Sequence, residues 1–381
     1  MLIIKQTLFL FILFLPISLY AQWIPDKLLS SPKLPEGGIN EWSASLDMTG
    51  FFKNNEYFNP LEPGRTLPGI NFIPKVSYQT QNRFRAELGM YNIYYSGEQH
   101  NDEEISVFDG VFIRLQYAIK PEFNLVFGNI YGGLNHRLIE PLYKWERSFT
   151  DKPESGLQLI YDNDRYFVDV WTDWQRYIEY GDSLPEILTV GVSASMQLSD
   201  NKNTSLWKFS VPFQLLVHHR GGQIDVSRVP TVVIGNVVSG FCMERSFESG
   251  FVNSLALKAY FAGYYDKLPD KEARPYDKGW GVYPVMEAKA SDFAFMMGYW
   301  YAKEFYAFQG EPLFSSFNPR YPDVNVPERR LLTTKLIYSK QLQKNLALGA
   351  QIETYTDFVL KSTNYSAGIY LRFNGNFIFK K

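Results

Sequence analysis

Apolar and polar residues alternate one for one along most of this chain, and that period of two is what most constrains its fold. Successive side chains of a β-strand point to opposite faces, so the alternation describes a sheet with one apolar and one polar side. Leu188, Val190, Val192, Ala194, Met196 and Leu198 alternate with Thr189, Gly191, Ser193, Ser195 and Gln197. Trp207, Phe209, Val211, Phe213, Leu215 and Val217 flank Lys208, Ser210, Gln214 and His218. Val111 to Ile119 and Leu346 to Glu353 repeat the pattern, and the last segment sets Ile369, Leu371, Phe373, Phe377 and Phe379 against Tyr370, Arg372, Asn374 and Asn376. Sustained 3.6-residue periodicity is almost missing after the first 21 residues.

The breaks between segments predict about sixteen strands, within a range of fourteen to eighteen. Their spans are 41–52, 68–79, 83–95, 105–119, 122–131, 156–162, 165–175 and 187–198, then 206–218, 228–244, 252–264, 279–290, 292–302, 331–340, 346–357 and 365–379. The connections sort into two classes. Short ones fall at 80–82, 120–121, 163–164, 199–205, 245–251, 291 and 341–345, and longer ones at 53–67, 96–104, 132–155, 176–186, 219–227, 266–278, 303–330 and 358–364. A soluble sandwich or propeller would alternate in period two without sorting its connections by length. An antiparallel barrel that crosses a membrane has short turns at one end and long loops at the other. Pro74 and Pro212 fall inside predicted strands and should each interrupt a ladder by a bulge or a local break.

Composition removes other classes. Lys plus Arg is 38 against 40 Asp plus Glu, a net charge of −2, so the chain lacks the basic excess a nucleic-acid partner requires. Aromatics make up 17%, which gives far more apolar surface than a disordered chain carries. Cys242 is the single cysteine, so neither an intramolecular disulfide nor a cysteine-rich metal centre can form. Residues 1–21 place Lys5 before an apolar run from Leu8 to Leu15, then Pro16 and Ala21. That is the layout of a secretory signal peptide. The expected organisation is a signal peptide at 1–21, a periplasmic leader at 22–40 and one barrel at 41–381.

Taken together, the signal peptide, the sixteen-segment pattern and the closing aromatic strand resemble a Gram-negative outer-membrane β-barrel of the porin-like type. The final pair Lys380 and Lys381, after Phe379, departs from the usual aromatic end. The resemblance implies an outer-membrane location, contact with outer-membrane lipids, and passive diffusion of small hydrophilic solutes. It leaves open a homo-oligomer or membership of a larger outer-membrane complex. The other reading it allows is a non-conducting barrel that binds surface polysaccharide or serves such a complex.

With the apolar set facing lipid, charged residues inside strands should line the lumen. Arg83, Arg85, Arg114, Lys208, Lys258, Lys335 and Arg372 are the predicted cationic lining, with Lys75 beside them and Glu87, Asp169, Asp173 and Glu353 as counter-charges. A cationic excess would favour anions; cross-strand pairing that only solvates the wall is the simpler alternative. The 132–155 connection is too long for a turn. In general porins the third loop folds into the barrel, so the resemblance points to a constriction formed by Arg137, Glu140, Lys144 and Arg147. The 303–330 loop could cap the pore. Inner-face aromatics such as Tyr91, Phe112, Trp171, Tyr355 and Tyr370 could stack on sugars or fill a closed interior.

The chain offers no enzyme signature: neither a Gly-x-Ser-x-Gly elbow, a metalloprotease helix motif nor a phosphate-binding glycine loop occurs. Four histidines exist, at 100, 136, 218 and 219, and only His136 near Glu140 makes a pairing worth testing. His218 and His219 are adjacent on a predicted strand and point to opposite faces, so they cannot share a metal. No cofactor, metal or catalytic residue is expected.

Overall fold

The computed structural model describes residues 34, 40–80, 83–97, 108–199 and 207–379. The expected signal peptide, nearly all of the leader and His100 lie outside them. Strand β1 runs Glu41–Glu56, β2 Arg65–Thr80, β3 Phe84–Tyr95, β4 Gly110–Lys120 and β5 Phe123–Asn129. Next come β6 Ser155–Asp162, β7 Tyr166–Arg176, β8 Ile187–Gln197 and β9 Lys208–Arg220. They are followed by β10 Val232–Ser246, β11 Ser254–Asp266, β12 Lys278–Ala290 and β13 Phe293–Lys303. A small hairpin, β14 Phe317–Asn318 and β15 Tyr321–Asn325, precedes β16 Glu328–Gln343, β17 Leu346–Asp357 and β18 Ser362–Phe379.

Sixteen of these strands close an antiparallel barrel, β1 pairing with both β2 and β18, while β14 and β15 form a separate two-stranded sheet. Trp42 lies opposite both Tyr78 and Phe379, so the first and last strands meet at the same end. Closure pairs every strand edge, which a sheet in hydrocarbon requires. Connections at 121–122, 163–165, 291–292 and 344–345 cluster at this turn end, and 57–64, 130–154 and 304–327 leave from the opposite, loop end.

The alternation sorts faces as expected. In β4, Val111, Ile113, Leu115, Tyr117 and Ile119 are exposed on the outer wall, and Phe112, Arg114, Gln116 and Ala118 are buried inside. Pro74 interrupts pairing with β3 between Phe72↔Asn92 and Lys75↔Gly89, and Pro212 interrupts pairing with β10 between Phe213↔Ser239 and Ser210↔Cys242. Both breaks preserve the register, so the missing proline N–H leaves a gap and no bulge.

Two differences follow from the lumen's chemistry. Strand β1 continues through Lys53, Asn54, Asn55 and Glu56, a polar run that reads as a loop. Lys53 and Asn55 point inward and are buried, so the lumen supplies the partners that solvent would supply to a loop. The interior is also less polar than a sequence of charged strand residues implies. Leu138, Ile139 and Leu142 from the 130–154 loop, with Phe305, Leu313, Phe314 and Phe317 from the 304–327 segment, pack on Tyr260, Tyr283, Trp300, Leu331 and Tyr355 of the wall. Both long loops turn into the barrel.

Candidate functional site

The 130–154 loop enters the lumen after Asn129 and crosses it. Arg137 takes the left-handed conformation (φ 56°) and ends a 3₁₀ turn at Gly133–His136. Beyond it, the Ile139 N–H donates to Gln214 Oε1 on β9 at 3.1 Å, and Glu140 reaches the far wall. Lys335 Nζ lies 2.6 Å from Glu140 Oε1 and 2.6 Å from Glu353 Oε1. The Tyr355 hydroxyl donates to Glu140 at 2.6 Å.

From there an ionic lattice continues. Lys53 Nζ lies 3.2 Å from Glu353 and 3.5 Å from Glu146. Glu146 also binds Lys144 at 2.9 Å, Arg65 at 2.7 Å and the Asn55 amide at 2.9 Å. Lys144 in turn faces Glu62 at 3.4 Å and Glu311 at 3.7 Å. Burial opposes the Glu146 charge, yet Lys144 and Lys53 outweigh it and hold the carboxyl down at about 2. Glu311 keeps one oxygen without a partner, and burial pushes its carboxyl up to about 7 against the pull of Lys144. Removing one member of such a lattice strands a buried charge, so it locks loop to wall.

A second tie is made by His136, which stacks on Trp171 with ring centroids 3.6 Å apart. Its Nδ1 lies 2.7 Å from Asp169 and its Nε2 2.8 Å from Glu154. Burial disfavours the imidazolium, but the two carboxylates outweigh it and hold the proton to about 10. With both ring nitrogens engaged, this histidine is an ionic rivet between loop and β7.

Beside the loop a chamber of about 370 Å³ remains. Its lining steps from Gln175 and Lys152, toward the loop end, to Asp47, Lys75 and Arg372, toward the turn end. Lys75, Arg114, Arg147, Lys152 and Arg372 line it together with Asp47, Asp151, Glu154 and Asp173, and with the rings of Phe112, Tyr131, Trp145 and Phe149. Several charges are paired along the wall. Lys75 lies 2.7 Å from Asp47, Arg114 lies 3.2 Å from Glu87 and over the Tyr131 ring at 3.9 Å, and Arg147 lies 2.7 Å from Asp151.

The predicted lining residues divide as follows. Arg85, Arg114, Lys208, Lys258, Lys335 and Arg372 all lie on the inward register of their strands. Arg83 does not: it is exposed in the connection before β3, where its N–H closes a turn onto Thr80 O at 2.9 Å. The phase of the alternation is right, but the chain is still turning at that residue. Lys258 pairs with Glu287 at 2.7 Å, and Arg85 donates to Gln79 at 2.9 Å. Of the four loop residues, Glu140 and Lys144 sit in the lattice and Arg147 lines the chamber. Arg137 points elsewhere, onto Asp162 at 3.0 Å and over the Phe167 ring at 3.5 Å. The hub Glu146, with Lys53, Glu62 and Glu311, has no signal in the sequence beyond its charge.

Residues 34–381 match the family described as Lipid A 3'-O-deacylase-type. The fold is similar to that of the outer membrane protein OprD from Pseudomonas aeruginosa, with TM-score 0.50 and 8% identity over 92% of this chain and 97% of that one. OccD3 (OpdP) of the same organism gives TM-score 0.50 and 10% identity, covering 91% and 94%. At such identities the likeness is one of fold, a porin-like outer-membrane barrel. Among curated proteins, no sequence matches.

Proposed function

The chain belongs to the lipid A 3'-O-deacylase-type family, and we propose that this barrel works as a narrow outer-membrane channel for small hydrophilic solutes, favouring anions, and not as an enzyme. One observation carries the reading. The inward loops pack one side of the lumen with aromatic and aliphatic side chains and leave, on the other side, a charged chamber that runs along the strands. A lumen meant only to be closed has no use for that chamber, and a general pore has no use for the packed side. Five cationic groups stand against four carboxylates on its wall, and this cationic excess supports the anion preference, since a low-dielectric conduit concentrates the ion its wall attracts. The test is liposome swelling with folded protein. Faster swelling with small anionic solutes than with neutral ones of equal size is expected, and no swelling from protein with the heat-modifiable mobility of a folded barrel would sink the reading. That second outcome would favour the polysaccharide-binding or complex-forming barrel.

A second reading, hydrolysis of an acyl ester of lipid A, is favoured by the family match. Against it stands His136, whose ring nitrogens are both committed to carboxylates. Mass spectrometry of lipid A incubated with the folded barrel separates the two, since only a deacylase removes the mass of one acyl chain.

A further inference from the structure

We propose that Glu311 is a proton-operated latch between the two inward loops: neutral, it lets the 307–311 turn lie against residues 140–146, and ionised, it parts them and widens the chamber. This adds regulation to the channel reading and rests on that reading for its effect on conduction. The two loops meet flush. The Lys144 N–H donates to Gln309 O at 2.8 Å, and the Glu311 N–H donates to Glu140 O at 3.2 Å. A Cβ on Gly310 would collide with Pro141 O, so the crossing has no room for a side chain. Gln309 also lines the chamber, so a shift of this turn changes the open space. On either side the segment is pinned to the wall. The Asn236 amide donates to Tyr306 O at 2.8 Å, Arg329 Nη2 to Leu313 O at 2.7 Å, and the Trp300 indole to Phe314 O at 2.9 Å. Between those anchors the turn is held to the 130–154 loop by the seam itself.

Charge makes the seam conditional. The cations of the lattice are Lys53, Arg65, Lys144 and Lys335. Its carboxylates are Glu62, Glu140, Glu146, Glu311 and Glu353, so five negative groups face four positive ones among the described residues. Glu311 is the one left over. Lys144 reaches it at 3.7 Å, but already stands 2.9 Å from Glu146 and 3.4 Å from Glu62. Its side chain is 2% exposed, and Oε1 has no hydrogen-bond partner. A buried carboxylate with a third share in one ammonium is costly, and the neutral acid is not. The groups around it are Lys144, Glu146 and Glu140 of the 130–154 loop, Lys53 of β1, and the hydroxyls of Tyr57 and Tyr355. Two of these charges attract an ionised Glu311 and two repel it, so burial decides and pushes the carboxyl up to about 7. Parting the turn returns it to water and to its ordinary 4.5. A group that holds its proton more tightly in the closed form drives opening as it ionises, by up to about tenfold per pH unit above its closed-form value.

The test follows amide hydrogen exchange of residues 304–316 in the full chain folded in detergent, at about pH 5.5 and about pH 8.5, with intrinsic rates corrected. Exchange in the wild type should rise about tenfold between them. In Glu311→Gln, neutral at both values, it should stay level. Planar-bilayer conductance should rise with pH in the wild type and keep its low-pH value in Glu311→Gln. Glu62→Gln frees Lys144 for Glu311 and should reduce both rises; it carries the comparison if Glu311→Gln fails to fold. Level exchange in the wild type overturns the latch. So does an equal rise in Glu311→Gln, which would assign the response to another group such as His218, stacked on Phe308 of the same turn with ring centroids 3.4 Å apart. Because exchange needs no flux, a pH-dependent rise without conduction at any pH would remove the channel reading and keep the latch, and conduction with level exchange would do the reverse.

Discussion

The two sides of the lumen are built from the same alternating strands and end up as opposite materials. Along β10 to β17 the inward residues include Val238, Tyr260, Tyr283, Trp300 and Tyr355 beside charged pairs such as Lys258–Glu287, and the long loops press Phe305, Phe314 and Leu142 onto the apolar ones. Along β1, β2, β4 and β18 they include Asp47, Lys75, Arg114 and Arg372, and the loop side chains Trp145 and Phe149, packed on Phe51 and Tyr370, wall the space beside them without filling it. A barrel of this size has more interior than its strands can fill. Where the inward positions are large and apolar, loops are drawn in by burial; where they are charged, solvated space survives. The ionic lattice at Glu140 and Glu146 is the seam between the two.

The largest effect on this contrast should come from the packed side. Trp300 is fully buried between Tyr283, Phe305 and Phe314, and its indole N–H donates to Phe314 O at 2.9 Å. Trp300→Ala should lower stability by about 3–5 kcal/mol, read from urea unfolding followed by gel mobility. A second conducting path should open in planar bilayers. Unchanged stability would mean that the packed side is not a core.

At the seam, Lys335→Met leaves Glu140 and Glu353 facing each other without their shared ammonium. The expected loss is also about 3–5 kcal/mol. Lys335→Met combined with Glu140→Gln and Glu353→Gln should recover much of it, because the stranded charges are gone.

Dependence on pH probes the loop's anchors. His136 is held protonated to about 10 against an ordinary 6.5, so its contribution is complete below 6.5 and is lost as pH rises through about 10. Glu311 acts in the same sense over a lower window, from 4.5 through about 7. Glu146 acts in the opposite sense, its contribution being lost as pH falls from 4.5 through about 2. The urea midpoint should therefore fall between pH 6.5 and 10, and His136→Gln should flatten that fall while lowering the midpoint at pH 6. A midpoint that is level across this window would exclude the imidazolium.

The smallest effect separates two arginines of one loop. Arg147→Ala, on the chamber wall, should shift the zero-current potential toward cations with little loss of stability. Arg137→Ala breaks its pair with Asp162 and its contact with Phe167, costing about 1 kcal/mol or less, and should leave selectivity alone. Equal shifts would show that the chamber is not the conducting side.

Much of the barrel could be read before any coordinates. The sixteen strands fall close to the alternating segments, and the lining positions Arg114, Lys258 and Lys335 follow from phase alone. The misreadings are local and have causes. Arg83 shares the correct phase but precedes the strand, and the polar run from Lys53 to Glu56 looks like a loop because the partners of its buried members, Lys53 and Asn55, come from residues about 90 to 300 positions away. Glu146 illustrates the limit most clearly: its ligands Lys53, Asn55, Arg65 and Lys144 come from two strands and its own loop.

What the sequence determined by itself is whatever depends on neighbours one or two residues apart: the strands, their faces, the short turns and the outward apolar wall, since pleat geometry makes side-chain direction a local property. What only the tertiary structure decided is how the enclosed volume is used. Which loop turns inward, which lysine meets which glutamate, and which side of the lumen stays open depend on residues that only closure brings together. A buried charge selects its partner by distance in space, and a period of two carries no record of that.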